Sequence, residues 1–419
     1  MSHDKSALKR EIFRRHFRPA INLIANEYDA LPVHDSTLRY VIEDASVRMA
    51  GMPSLGQTGR QFYERYTQAI DRAFSTCPSL HTYVLVFDKR HFIPPLKLDV
   101  QGTHRRQNVQ RQAEQLPDWS YDEQCPIIAF DTTVPPWPRV RRDPRAYQRA
   151  HYDLVGLLCA HYRPPPGKRL LIDYYHQSSG TSARWLEHTR WTFVPPAPMS
   201  IVTTAADQCR HDAVPDWRLS NSCGEADLCA QLYAQWAHDP HSALNCEADA
   251  GSVAMRSCDT DFIVYSLMHR PAHNIYVCMG SAHLNSAAEF CSSTAYDAQM
   301  HWEIFDIHRM ISGIGDVATV RSFVAFCILC GNDFIKKLGG VSRSTMYDVY
   351  KTSRFECRDD WTLDRRSFQA FMTALQQRSK RLKRHVSDEQ LISQVEWCLH
   401  YARNGITAVT SIKDYRLCW

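Results

Sequence analysis

The sequence predicts an α/β protein: a mostly parallel central sheet flanked by helices, with a mainly helical C-terminal region. Short apolar runs of strand length recur along the chain. Residues repeating at three to four positions, such as Ala226, Cys229, Tyr233 and Trp236, lie between several of them. From Gly339 onward strand signals fade and helical ones dominate. Strands alternating with helices call for a largely parallel sheet covered on both faces.

In chain order, strands are expected at residues 40–42, 83–87, 126–130, 170–174, 262–267 and 274–279, each an aliphatic or aromatic run. Residues 1–34 read as a basic N-terminal extension. Its start, MSHDKSALKREIFRRHFRP, has no apolar core of the kind a secretory signal needs, and its arginines also suit an organelle transit peptide. Residues 35–335 are expected to form the core, with an arch and insertion at about 97–198. Within it, residues 132–198 are rich in Pro, Trp and Arg and read as an insertion with structure of its own. Residues 336–419 complete the chain as the helical region. The longest apolar runs, such as residues 323–330, fall short of the roughly 18 a membrane-spanning helix needs.

Composition removes several classes. Of 419 residues, 44% are hydrophobic and 22% charged, which excludes disordered, collagen-like and fibrous chains. Lys+Arg 49 against Asp+Glu 45 leaves +4, so the chain is not uniformly basic and any cationic surface must be local. Fifteen cysteines are scattered, several in apolar runs (Cys159, Cys327, Cys330), as expected of reduced core thiols in an intracellular protein. Cys327 and Cys330 form a CxxC without a second pair at zinc spacing, so packing explains them. The twenty histidines yield no HExxH; His238 and His241 form a lone HxxH that reads as surface.

The acids are more informative. Residues 84–87 run straight into Asp88, and residues 40–42 lead to Glu43, Asp44, Ala45 and Ser46. Two pairs follow at i, i+2 spacing, Glu225 with Asp227 and Asp259 with Asp261, and Asp333 follows the apolar run CILCG. Ligands of open α/β sheets collect outside the carboxyl ends of the strands. A helix cap or a first-turn acid explains any one of these carboxylates alone. Five acidic segments converging at one sheet end would repel strongly without cations. Carboxylates with no histidine or thiolate partner favour hard cations, Mg2+ or Mn2+. Two such ions, about 4 Å apart, activate water and stabilise the leaving oxygen of a phosphodiester. The set therefore points to a metal-dependent nuclease or phosphotransferase.

The order IEDAS, VLVFDKR with PPLK and HRR beyond it, GEADLCAQ, MRSCDTDFIVYSL and FVAFCILCGNDF with LGGVS resembles the flap endonuclease superfamily of 5′ nucleases, which includes excision-repair nucleases. The resemblance implies a PIN-like fold and two Mg2+ ions, with Mn2+ as substitute. Its metal-ligating aspartates and glutamate map onto Asp44, Asp88, Glu225, Asp227, Asp259, Asp261 and Asp333. Asp227 stands where the family carries a glutamate, which shortens that ligand. The matched windows cover about a fifth of the chain.

The resemblance also implies a lysine and an arginine gripping the scissile phosphate, matched by Lys97 and by either Arg105 or Arg106; a solvated helix face is the competing reading. It implies an arch threaded by single-stranded DNA. Here Arg111, Arg139, Arg141, Arg142, Arg145 and Arg149 interleave with Trp137 and Tyr147, cations and aromatic faces that suit such a path. A proline-rich loop with solvated arginines fits them equally. Finally, it implies a helix–two-turn–helix gripping duplex backbone through turn amides. Leu338, Gly339, Gly340, Val341 and Ser342 stand at that turn in altered form, and the cluster Arg378, Lys380, Arg381, Lys383 and Arg384 extends it, serves nuclear import or is simply a solvated helix face.

The family's glycine-containing N-terminus and a sliding-clamp motif have no counterpart in this sequence. The expected function is cleavage of branched or 5′-ended DNA in replication or repair, in the nucleus, with the cytoplasm or an organelle as alternatives, and with no membrane partner. RNA cleavage on the same fold and a catalytically inactive nucleic-acid-binding scaffold are the alternatives.

Overall fold

The computed structural model describes residues 12–13, 17, 20–24, 31–32, 35–50, 52, 55–88, 117–174, 199–203, 209–213, 226–238, 251–257, 259–269, 274–282, 300–331, 335, 338–383 and 386–404. Their centre is a nine-stranded sheet in the order β1-β9-β8-β7-β2-β3-β4-β5-β6. The strands are β1 (Ile21–Ile24), β2 (Leu38–Asp44), β3 (Thr82–Val86), β4 (Arg169–Asp173), β5 (Met199–Thr203), β6 (Cys209–Ala213), β7 (Ser252–Ser257), β8 (Ile275–Ala282) and β9 (Met300–Asp306). The five central strands, β8-β7-β2-β3-β4, are mutually parallel. Antiparallel strands close both flanks, β9 and β1 on one side and the β5–β6 pair on the other. The fold is thus mixed α/β around a parallel core.

Pleating sends alternate side chains to opposite faces. Tyr40, Ile42, Val84, Val86, Leu171, Val253 and Met255 join one apolar cluster, Val41, Tyr83, Leu85, Leu170, Ile172 and Ala254 the other. The second face is covered by α2 (Gly59–Thr76), α3 (Trp137–Arg142) and α4 (Pro144–His161), with the short α1 (Ala45–Ala50) directly after β2. The first face is covered by α5 (Ala226–Ala237), α6 (Asp261–His269), α7 (Ile307–Ile314) and α8 (Val317–Leu329). Onto these pack α9 (Arg343–Thr352), α10 (Arg365–Arg378) and α11 (Asp388–Asn404), the helical region expected after Gly339.

Two expected strands are not strands. Residues 262–267 belong to α6, which is buried from Asp261 to Met268. A helix apolar on every side has no periodicity to separate it from a buried strand. Residues 126–130 are irregular because a side chain, not a ladder, takes their backbone donors: Ile127 and Ile128 both donate to Asp153 Oδ2, at 2.6 and 3.1 Å.

Two other segments are more integrated than their composition suggests. Phe13 and Phe17, in the basic N-terminal stretch, pack against Phe323, with ring centroids 6.4 and 5.5 Å away, and β1 pairs with β9. Residues 137–173, within the expected insertion, supply α3, α4 and the central strand β4. Among the described residues no single helix is long and apolar enough to cross a membrane.

A candidate carboxylate site at the sheet's carboxyl edge

Strand register places the acids. Asp44, the last residue of β2, aligns with Val86 of β3, and Val86 aligns with Asp173 of β4. Because aligned residues of parallel strands share a face, Asp44 and Asp173 flank Val86 on the side covered by α5 and α6. Asp88 lies two residues beyond Val86, and Asp259 two beyond the end of β7. All four therefore occupy the carboxyl edge of the parallel core, the end where open α/β sheets bind ligands.

The helices that follow bring in the rest. Asp88 Oδ1 accepts from the Ala226 backbone N–H at 3.1 Å, which ties the end of β3 to the first residue of α5. Asp227 sits in the first turn of that helix. Asp259 Oδ1 accepts from the Asp261 N–H at 3.0 Å, and the Asp259 N–H donates to Ser257 Oγ at 3.1 Å. Asp261 is buried at the start of α6. Carboxylates here also complement the positive ends of the two helix dipoles.

Directly beneath Asp44, on the other face, lies a buried polar network. Glu43 takes a two-point ion pair from Arg48, with Nε at 2.7 Å and Nη2 at 2.9 Å. The Tyr83 hydroxyl donates to Glu43. Arg256 of β7, in register with Glu43, lies 3.7 Å from it and donates to the Tyr83 oxygen at 3.0 Å. Burial pushes the Glu43 carboxyl up, but the Arg48 and Arg256 guanidiniums and the Tyr83 hydroxyl outweigh it and hold it below the usual range. Neither Glu43 nor Arg256 stands out as a partner in the sequence. Their signal is two charged residues inside otherwise apolar strands, which only pairing makes tolerable. Asp173 was missed too, since it follows LLI as Asp88 follows VLVF but lies inside a stretch read as an insertion.

Of the seven expected metal ligands, Asp44, Asp88, Asp227, Asp259 and Asp261 are brought to this edge. Glu225 and Asp333 lie outside the described residues, as do Lys97, Arg105 and Arg106. Among the described residues, no group of three or more His, Cys, Asp or Glu side chains converges closely enough to hold a metal ion. The donor chemistry, carboxylates alone on one face of one sheet end, fits a hard divalent cation.

Of the expected single-strand path, the two aromatic rings are buried. Trp137 is 1% exposed, donates its Nε1–H to the Met49 carbonyl at 2.6 Å and packs on Phe62 with centroids 5.0 Å apart. Tyr147 is also buried, so neither ring offers a face to a base. Arg139 meets Asp118 at 3.1 Å, Arg145 meets Glu123 at 3.1 Å and Arg149 meets Asp153 at 2.7 Å. Arg142 is exposed and Arg141 half-buried on α3, while Arg111 lies outside the described residues.

At the C-terminal turn, Gly339 and Lys383 exchange backbone hydrogen bonds at 3.2 and 2.8 Å. The Gly339 N–H is therefore engaged within the protein. Ser342 Oγ caps α9 by accepting from the Thr345 N–H at 3.0 Å. These bonds seat the turn against residues 379–383, where Arg378, Lys380, Arg381 and Lys383 are exposed. Arg384 lies outside the described residues. Cys327 and Cys330 are buried, consistent with packing. The chain matches no protein-family model and no curated protein.

Proposed function

We propose that this chain is a divalent-metal-dependent nuclease of the flap endonuclease type, with a PIN-like core, acting on branched or 5′-ended DNA. One observation carries the reading. Asp44, Asp88, Asp227, Asp259 and Asp261, picked from motif order in segments far apart, meet at one end of one parallel sheet. A set of unrelated surface acids would scatter over both ends.

Asp44, Asp88, Glu225, Asp227, Asp259, Asp261 and Asp333 would hold two Mg2+ ions, or Mn2+, directly or through water. Such ions, when bound, supply an acidified water and neutralise charge on the transferred phosphate. The protein's part is to hold the carboxylates in register through β2, β3 and β7 and to aim them through the starts of α5 and α6. Lys97 with Arg105 or Arg106 would orient the scissile phosphate and balance its negative charge. The exposed cations near Gly340 would take duplex backbone, so binding reads shape and falls as salt rises.

A panel of flap, nicked and single-stranded DNA and of RNA, incubated with Mg2+ or Mn2+ at one salt concentration, tests this. Flap DNA is expected to be cut. Preferential cutting of RNA would shift the substrate, and binding without cleavage would favour a scaffold. Asp259→Asn and Asp333→Asn are expected to abolish cleavage while the thermal transition is kept; full activity in either ends the two-metal assignment.

A further inference from the structure

We propose that the buried group Glu43, Arg48, Tyr83 and Arg256 is a positioning network whose charge sets how tightly the carboxylate edge holds a divalent cation. The inference rests on the metal-dependent reading above and adds residues that no ligand role requires.

The geometry has three parts. First, the group joins the three strands that present the acids. Glu43 is on β2 next to Asp44, Tyr83 is on β3 five residues before Asp88, and Arg256 is on β7 three residues before Asp259. Glu43 and Arg256 are register partners across the β2–β7 ladder, so their ion pair and the Tyr83 hydroxyl lock the strand ends together. Second, the group is largely shielded from water, with Arg48, 14% exposed at its side chain, its partly open member. Glu43 is 4% and Arg256 2% exposed, and Arg48 lies over the buried Tyr66 ring at 5.7 Å. Third, it is close to the edge: Glu43 immediately precedes Asp44 at the end of β2, and Asp44 aligns with Val86, two residues before Asp88. In a dry interior a charge one residue from a ligand is screened far less than one on the surface.

A packed apolar pair would fill the same space without the cost of burying charge. What an apolar pair cannot do is hold fixed charge under a rim that must bind a cation and release it. Taking away Glu43 makes the network one unit more positive; taking away Arg48 makes it one unit more negative; taking away both leaves it unchanged.

The test is Mn2+ binding to the full chain without substrate, measured by electron paramagnetic resonance or titration calorimetry, with the thermal midpoint recorded alongside. Glu43→Gln is expected to weaken Mn2+ binding by about tenfold and Arg48→Met to tighten it by a similar factor. Glu43→Gln/Arg48→Met is expected to bind as the unaltered protein does, though its thermal midpoint falls. Tyr83→Phe, which removes the hydroxyl and no charge, is expected to leave affinity within about twofold. If Glu43→Gln does not fold, tighter binding in Arg48→Met against unchanged binding in the double variant carries the same comparison. Affinities that fall in every variant in step with thermal midpoint, or do not move at all, overturn the proposal. Absence of Mn2+ binding by the unaltered protein would instead overturn the metal-dependent reading on which it rests.

Discussion

Asp88 reaches across 138 residues of sequence to hold the first N–H of α5, at Ala226, in a 3.1 Å hydrogen bond. The bond fixes the helix start through Oδ1, and under the proposed function the same carboxylate would also supply charge to a cation. Asp88→Asn keeps the acceptor oxygen and loses the charge, whereas Asp88→Ala loses both. We expect Asp88→Ala to cost about 1 kcal/mol of stability, the ordinary worth of a helix cap, and Asp88→Asn much less. Both should lose Mg2+-dependent cleavage. Urea unfolding alongside a flap-cleavage assay separates the roles; equal stability loss in the two variants would mean the hydrogen bond does not hold the helix.

Trp137, expected on the single-strand path, is buried. Its ring is core and its Nε1–H is spent on Met49. Trp137→Ala should destabilise by about 3–5 kcal/mol, as other large-to-small core changes do. Trp137→Phe, which keeps an aromatic ring and abandons the Met49 carbonyl, should cost less. Neither should change single-stranded DNA affinity per folded molecule. A selective loss of that affinity, with unfolding midpoints unmoved, would return the ring to the substrate path.

The parallel core was legible because β2, β3, β4 and β8 are runs whose apolar residues serve both faces. β7 was not. Ser252, Arg256 and Ser257 interrupt its apolar character, and Arg256 is held there by Glu43 and Tyr83. The acids at the edge were legible from their place after apolar runs, but the network beneath them depends on register, which a single sequence does not display. Trp137 was misread for a related reason: Pro, Trp and Arg in sequence look alike whether the ring faces solvent or, as here, Phe62.

At the opposite edge of the sheet, Asp35 pins the start of β2. Its Oδ1 accepts from the Thr37 N–H at 2.8 Å and from Thr37 Oγ1 at 2.6 Å, and Thr37 Oγ1 lies 2.9 Å from Ser252 Oγ on β7. Burial pushes the Asp35 carboxyl up, but the bonds from Ser252 and Thr37 outweigh it and hold it below the usual range. Such a carboxylate stabilises the fold fully above its ordinary pKa of about 3.9 and less as pH falls toward its lowered folded value. Asp35→Asn should therefore be less stable than the unaltered protein at pH 7, with the gap narrowing below about pH 4. Denaturant midpoints across that range check it; a constant gap would mean the carboxylate charge contributes nothing.

The turn at Gly340 has a φ of +73°, which favours glycine. A Cβ there would stand 1.7 Å from the Arg381 carbonyl oxygen, so Gly340→Ala must push residues 379–383 away. That loop carries Lys380, Arg381 and Lys383, exposed beside Arg378 at the end of α10. If these cations take duplex phosphates, replacing Lys380, Arg381 and Lys383 by glutamine should weaken binding to all duplex sequences alike. It should also flatten the dependence of log affinity on log salt by up to about 0.9 for each phosphate no longer neutralised. Gly340→Ala should weaken binding as well, by misplacing the same charges without removing them, and should lower stability by about 1–3 kcal/mol through backbone strain. Fluorescence anisotropy with a duplex across a salt series measures both. A triple glutamine variant with an unchanged salt slope would show that duplex DNA does not rest on this surface.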